Sequence, residues 1–222
     1  MYHSLRRIGS PTKSPRALVF VRGFQGLSKL KGTSPQSSSW SRALRNYGYR
    51  GNMLSYCWSS SWQDCRSAKC RAELAEEAGD TLWELLQKLD IDFERVSLMG
   101  FSMGATVIQQ LLWQARRAST KFRRVYFLGG EASSRARWGD LLQAVREGTW
   151  NFYSENDAFL RSLCRDPIGV SGFDYHYPNT REIDLTWYED DPDGERAITS
   201  HSEWLINVVW CLQRARLTLD LL

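Results

Sequence analysis

The stretch VSLMGFSMGATVIQQLL, residues 96–112, joins a short apolar run to an amphipathic one through a serine flanked by glycines. Residues 95–99 read as a strand and residues 103–117 as a helix, with a turn of only a few residues between them. Gly100-Phe101-Ser102-Met103-Gly104 is therefore a G-x-S-x-G at a strand-to-helix turn. A serine held in so sharp a turn needs small residues two before and two after it, so that strand and helix can approach; Gly100 and Gly104 meet that need. The N-terminus of the following helix offers unbonded N–H groups and a partial positive charge to an oxyanion. The competing reading is a glycine-rich turn in a nucleotide-binding sheet. It finds neither G-x-G-x-x-G nor the GK[ST] of a phosphate loop in the chain.

Outward from this turn, short apolar strands alternate with longer helical stretches. Ala17-Leu-Val-Phe-Val21 is apolar throughout, as a strand buried on both faces must be. Residues 52–58 (NMLSYCW), 124–128 (RVYFL), 150–153 and 183–187 read as further strands, and 40–47, 68–89, 138–146 and 203–216 as helices. Leu74, Ala78, Leu82, Leu85 and Leu86 form one stripe on the second of these. This alternation predicts a single α/β domain over residues 16–222, with about six mainly parallel strands, helices on both faces and little or no lid. Ligands of such a sheet bind at the carboxyl ends of its strands. The segments 59–68 and 165–181 are the longest insertions, and both are expected to overhang that edge. Residues 1–15 are basic and polar, carry Pro11 and Pro15, and read as a flexible tail.

A serine hydroxyl is a poor nucleophile until a base takes its proton. The chain has 3 histidines: His3 in the tail, His176 in an irregular segment, and His201 between the last strand and the closing helix. In a Ser, Asp, His chain order the base follows the last strand, which selects His201 over a mere capping role beside Ser200 and Ser202. The orienting acid belongs at the end of the strand ending near Tyr153, where Asp157 is the first choice and Glu155 its rival; Asp166 and Asp184 are less well placed. Asp157 is equally suited to cap the helix that Ala158, Phe159 and Leu160 would begin.

The ordered set ALVFVRGFQG, GFSMGA, NFYSENDAF and TSHSEW, spanning residues 17–213, resembles the α/β-hydrolase superfamily. Within it, WNFYSENDAFLRSL after FLGGEASS is similar to a little-characterised group of hydrolase-like proteins. The resemblance implies a triad of Ser102, Asp157 and His201 and an oxyanion hole made by backbone N–H groups. The second donor then comes from the loop after the first core strand. That family commonly has His-Gly there; this chain has Arg22-Gly23, which makes the N–H of Phe24 the partner of that of Met103.

Composition excludes several other classes. The 222 residues are 42% hydrophobic and 24% charged, with a net charge of +4, enough for one core and too balanced to argue for nucleic acid. The basic group Arg116, Arg117, Lys121, Arg123 and Arg124 reads as a solvated helix end and loop ahead of an anion patch. No apolar run reaches the ~18 residues of a membrane span, and the absence of an apolar signal core makes a cytoplasmic protein the default, with non-Sec export left open. The 5 cysteines lack metal-ligand spacing and read as reduced, mostly buried thiols, a Cys57 or Cys65 to Cys70 link being the minor alternative. The acidic run Glu189 to Glu195 is broken by Pro192 and has no EF-hand spacing, so neither a metal nor a cofactor is expected. Of the 10 tryptophans, Trp58, Trp62 and Trp204 lie near the proposed site and are candidates for an apolar pocket, with core packing as the alternative.

The expectation is a carboxylic ester hydrolase acting through an acyl-enzyme on a small-molecule or lipid ester. A lipase or phospholipase, a thioesterase or acyltransferase on the same triad, and a non-enzymatic interaction protein on a hydrolase scaffold are the alternatives. Oligomeric state is not legible.

Overall fold

The computed structural model describes residues 2–23, 35–59, 67–187 and 198–217. Its strands are β1 (Tyr2–Arg7), β2 (Ala17–Val21), β3 (Asn52–Ser59), β4 (Val96–Phe101), β5 (Phe122–Leu128), β6 (Val145–Tyr153) and β7 (Thr180–Asp184). They form one sheet in the order β1-β3-β2-β4-β5-β6-β7, parallel throughout except that β1 runs antiparallel to β3. The helices are α1 (Pro35–Asn46), α2 (Ala68–Gln87), α3 (Gly104–Arg117), α4 (Trp138–Leu141), α5 (Ala158–Leu163), α6 (Ile168–Ser171), α7 (Glu203–Ile206) and α8 (Val208–Arg214).

Because both faces of the sheet are covered, its central strands are apolar on both sides. Val19, Leu98, Val125 and Phe127 face the layer of α2 and α3, where Leu82, Leu86, Val107 and Leu111 are buried. Leu18, Phe20, Met99 and Tyr126 face the other layer, where Trp40, Leu44, Trp204, Val208 and Leu212 of α1, α7 and α8 are buried. Val21 pairs with Gly100, so β2 and β4 end at one height and release their loops side by side.

Several expectations need correction. Residues 2–7, expected in a flexible tail, form the antiparallel edge strand β1, giving seven strands where six were expected. An edge strand buries only one row of side chains, so the polar SLRR pattern hid it; Leu5 packs inward and His3 Nδ1 lies 2.6 Å from Tyr56 Oη. The helix expected over 138–146 ends at Leu141, because residues from Val145 onward are taken into the ladder beside β5, through a register shift next to Gly148. The last strand lies at Thr180–Asp184, not 183–187, and the closing helix is interrupted at Asn207. Only the start of the segment 165–181 lies at the carboxyl edge, where Ile168 and Gly169 N–H donate to the Ala132 and Gly130 carbonyls and the Gly169 carbonyl accepts from Ser154 N–H. The segment is the crossover from β6 to the parallel β7, so it must return to the amino edge; on the way it buries Ile168 and Phe173 against the α2 and α3 layer.

The basic group divides. Arg123 and Arg124 are interior to β5, buried, and pair with Glu147 at 3.0 and 2.6 Å, while Arg116 pairs with Asp140 at 3.6 Å. Cys57, Cys70, Cys164 and Cys211 are free thiols, of which only Cys211 is fully buried; Cys65 lies outside the described residues, as does the acidic run 189–195. Among the described residues no helix is long and apolar enough to cross a membrane, and no group of three metal-ligating side chains is found.

Candidate active site

Ser102 sits between β4 and α3 with φ at 56°, in the left-handed region that a non-glycine residue adopts only when its surroundings enforce it. Those surroundings are specific. The backbone N–H of Ser102 donates to the Leu128 carbonyl at 3.3 Å, and the Ser102 carbonyl accepts from Ala105 and Glu131 N–H, each at 3.0 Å. A Cβ on Gly23 would stand 2.9 Å from Ser102 Cβ, and one on Gly100 would stand 2.8 Å from Ile108 Cδ1. A Cβ on Gly104 would overlap the Val21 carbonyl. The glycines thus let two strands and a helix meet at the serine. Met103, the residue preceding α3, holds αR backbone at the helix N-terminus, where N–H groups are unused by the helix itself. Phe24, the expected second oxyanion donor, lies outside the described residues, as does Trp62.

Asp157 follows β6 and is fully buried. It caps α5, with Oδ1 accepting from Leu160 N–H at 3.1 Å, and its Oδ2 stands 2.7 Å from His201 Nδ1. Oδ2 also accepts from Trp204 Nε1 at 2.9 Å. Burial pushes this carboxyl up, but the donors from His201, Trp204 and Leu160 outweigh it and hold the carboxyl below its ordinary value. A carboxylate at Nδ1 keeps the proton on that nitrogen and leaves Nε2 as the basic one. Nε2 is shielded from solvent and has no hydrogen-bond partner among the described residues. The imidazole reaches the elbow through Phe101, whose ring stacks on it at a centroid distance of 4.9 Å.

The rival residues stand elsewhere. Glu155 is exposed, and its backbone N–H, not its carboxylate, bonds Thr186 Oγ1. His176 is exposed next to Tyr177, which lines a cavity at the amino ends of β6 and β7. A second cavity of about 1000 Å³, lined by Leu54, Leu85, Ile91 and Val96 among others, likewise lies at the amino edge, far from Ser102.

Trp204 and Trp58, read as pocket candidates, are both buried core residues. Trp58 Nε1 donates to the Arg22 carbonyl at 2.9 Å, and Trp204 spends its N–H on Asp157. Gly129, at φ 50°, lies against the Trp204 indole, where a Cβ would come within 2.7 Å of Cδ1. The pair Gly129-Gly130 was the sequence signal for this close approach. Sequence reasoning also missed Glu131, which braces the elbow through its N–H and joins Arg71 at 3.3 Å. Nor did it find Phe159, whose ring meets the His201 imidazole at 4.8 Å.

The sheet order, the elbow and the placement of acid and histidine at the carboxyl edge define an α/β-hydrolase fold. Solved structures agree. Esterase PE8 superposes with a TM-score of 0.58 at 13% identity, covering 96% of this chain and 100% of the other. The type II thioesterase YbtT of the yersiniabactin pathway gives 0.54 at 12% identity, covering 98% of each chain. A predicted CIB-like hydrolase from Thermoplasma acidophilum gives 0.53 at 14% identity, covering 98% and 90%. By sequence, the chain belongs to the family DUF726, described as proteins of unknown function, which it matches over residues 55–175. No curated protein matches the chain.

Proposed function

We propose that this protein is a serine hydrolase that cleaves a carboxylic ester through an acyl-enzyme. The observation that carries the reading is the 2.7 Å contact of buried Asp157 with His201 Nδ1, at the edge of the sheet where Ser102 is held at positive φ. Ser102 Oγ attacks the ester carbonyl as His201 Nε2 takes its proton. Asp157 holds the reactive tautomer and stabilises the imidazolium. The tetrahedral oxyanion receives the N–H of Met103 and, in this reading, that of Phe24, each such donor contributing about 3 to 4 kcal/mol in comparable enzymes. His201 then protonates the leaving alcohol, and water, activated in the same way, releases the acid. In unliganded sites the base commonly stands off the nucleophile and closes on it when substrate binds.

The test is labelling with a fluorophosphonate probe alongside a panel of esters and thioesters of graded chain length. Wild-type protein labels and turns over part of the panel; Ser102→Ala keeps its fold and loses both. Undiminished labelling of Ser102→Ala would exclude Ser102 as the nucleophile, and thioester turnover exceeding ester turnover would move the substrate class.

A further inference from the structure

Two aromatic rings lie against the His201 imidazole. Phe101, at the end of β4, lies 4.9 Å from the imidazole centroid with planes 25° apart; Phe159, in the first turn of α5, lies 4.8 Å away at 30°. One ring is adjacent in sequence to Ser102 and the other is two residues beyond Asp157, so the segments that carry nucleophile and acid each bring a ring to the base. The two differ in setting: Phe101 packs against the core, whereas Phe159 is 47% exposed. A solvent-facing phenylalanine forgoes burial of its outer face, and core packing does not explain its position. Its inner face explains it, since it covers the imidazole.

We propose that Phe101 and Phe159 are positioning residues that clamp the His201 imidazole from both faces. They block the ring flip about Cβ–Cγ that would turn Cδ2 instead of Nδ1 to Asp157 and carry Nε2 out of its place, and they offer π faces to the imidazolium formed in each half-reaction. This inference rests on the reading of His201 as the base. A cation over an aromatic face is favoured electrostatically, more so where water is excluded; Nε2 is so shielded. Among the described residues, the ionised group in contact with the ring is Asp157. Glu203, on the helix that follows His201, is engaged by the N–H groups of Thr199 and Ser200. From the α5 side, Arg161 donates to the Glu155 carbonyl and Glu155 is exposed, while the elbow brings the uncharged Ser102 and Met103. Among the described residues the rings therefore act beside one fixed carboxylate.

The test uses Phe159→Leu, which keeps an apolar side chain at a partly exposed position and removes the π face, with Phe159→Tyr as the conservative variant. With 3 histidines in the chain, the imidazole Cε1–H resonances are assigned by His3→Gln and His176→Gln, and His201 is titrated directly. Phe159→Leu should lower the His201 pKa by about half a unit, move the acid limb of the kcat/KM profile with it, and reduce kcat about fivefold. Phe159→Tyr should restore all three, and Phe101→Leu should repeat the shift. An unchanged titration in both leucine variants, or a tyrosine variant as impaired as leucine, overturns the clamp. The titration needs no substrate, so it decides the clamp even if Ser102 proves unreactive; labelling of Ser102 with an unmoved titration discards the clamp and keeps the hydrolase.

Discussion

Replacing Asp157 by Asn changes one atom and conflicts with three donors. Oδ1 accepts from Leu160 N–H, and Oδ2 accepts from His201 Nδ1 and Trp204 Nε1, all within a fully buried site. An amide has one carbonyl oxygen. If it serves Leu160, the NH2 group faces the Trp204 N–H and forces His201 into the tautomer protonated on Nε2, which cannot take a proton from serine. If it serves His201 and Trp204, the NH2 group faces the Leu160 N–H and the cap of α5 is lost. Either way at least one buried donor goes unpaired, at about 1 to 3 kcal/mol. With the charged acceptor gone as well, the expected loss is about 2 to 4 kcal/mol, roughly 5 to 15 °C in Tm for a chain of this size. Activity should fall far more, by about 10⁴ in kcat, as the equivalent exchange costs a serine protease. The assay compares kcat/KM near pH 8, above the ordinary histidine pKa of ~6.5, at a temperature well below the variant's own melting point. Glu155→Gln is the control and should change activity less than about threefold, its carboxylate being exposed and the Thr186 contact made by its backbone. A loss under tenfold for Asp157→Asn with an intact fold, or a larger loss for Glu155→Gln, would refute the assignment of the acid.

Three further outcomes follow from the same geometry. His201→Ala should abolish turnover while His176→Ala leaves it near wild type, since His176 is exposed beside the amino-edge cavity; the reverse result in a steady-state assay would displace the base. Trp204→Phe keeps a large ring against Gly129 but removes one donor to the Asp157 carboxylate, a bond worth about 1.5 to 3 kcal/mol. It should lower kcat/KM about tenfold, raise the Asp157 pKa and cost a few degrees in Tm, and an unaltered kcat/KM would show that the indole only packs. Glu147 is pushed up by burial and, more strongly, down by Arg123, Arg146 and Arg124, to about 2. A lowered carboxylate stabilises the fold above its unfolded value of about 4.5 and loses that contribution as pH falls through the folded one. Glu147→Gln should therefore cost about 1 to 2 kcal/mol near pH 7, after allowance for its partial exposure. Urea unfolding should show the gap closing between about pH 4.5 and 2, and a gap constant with pH would remove the ion cluster from the stability account.

What the chain made legible from sequence is what it encodes locally. The elbow needs its glycines within two residues of Ser102, and β2, most of β4 and the carboxyl half of β5 are apolar because they are covered on both faces, so these elements could be read from short windows. Placing His201 and Asp157 required only chain order along a parallel sheet. The rest depended on distant partners. The strand β1 is polar because it is an edge that meets β3 some fifty residues later, and Trp204 looked like a pocket wall because nothing nearby in sequence shows that its N–H finds Asp157. The segment 165–181 overhangs the carboxyl edge only at its start, because its later part has to travel back to the amino end of β7, whose position from Thr180 is fixed by pairing with β6.

Asp157 shows why two readings of one residue need not compete. A capping residue must hold non-helical backbone just ahead of the helix, and Asp157 does so with φ −73° and ψ 78°. That turn directs Oδ1 at the Leu160 N–H, which leaves the second oxygen pointing away from the helix, where His201 and Trp204 meet it. The same start of α5 sets Phe159 two residues on, in the first turn, with its ring over the imidazole that Asp157 holds. Orientation of the His201 imidazole in its own plane and cover for its face thus come from one helix terminus. A substitution that restores the cap without the charge, such as Asp157→Ser, separates the two: α5 and the Phe159 contact should persist in the structure, while the His201 tautomer is no longer imposed and turnover is lost. If instead Asp157→Ser releases Phe159 from His201, the ring depends on the carboxylate itself and not on the helix that the carboxylate begins.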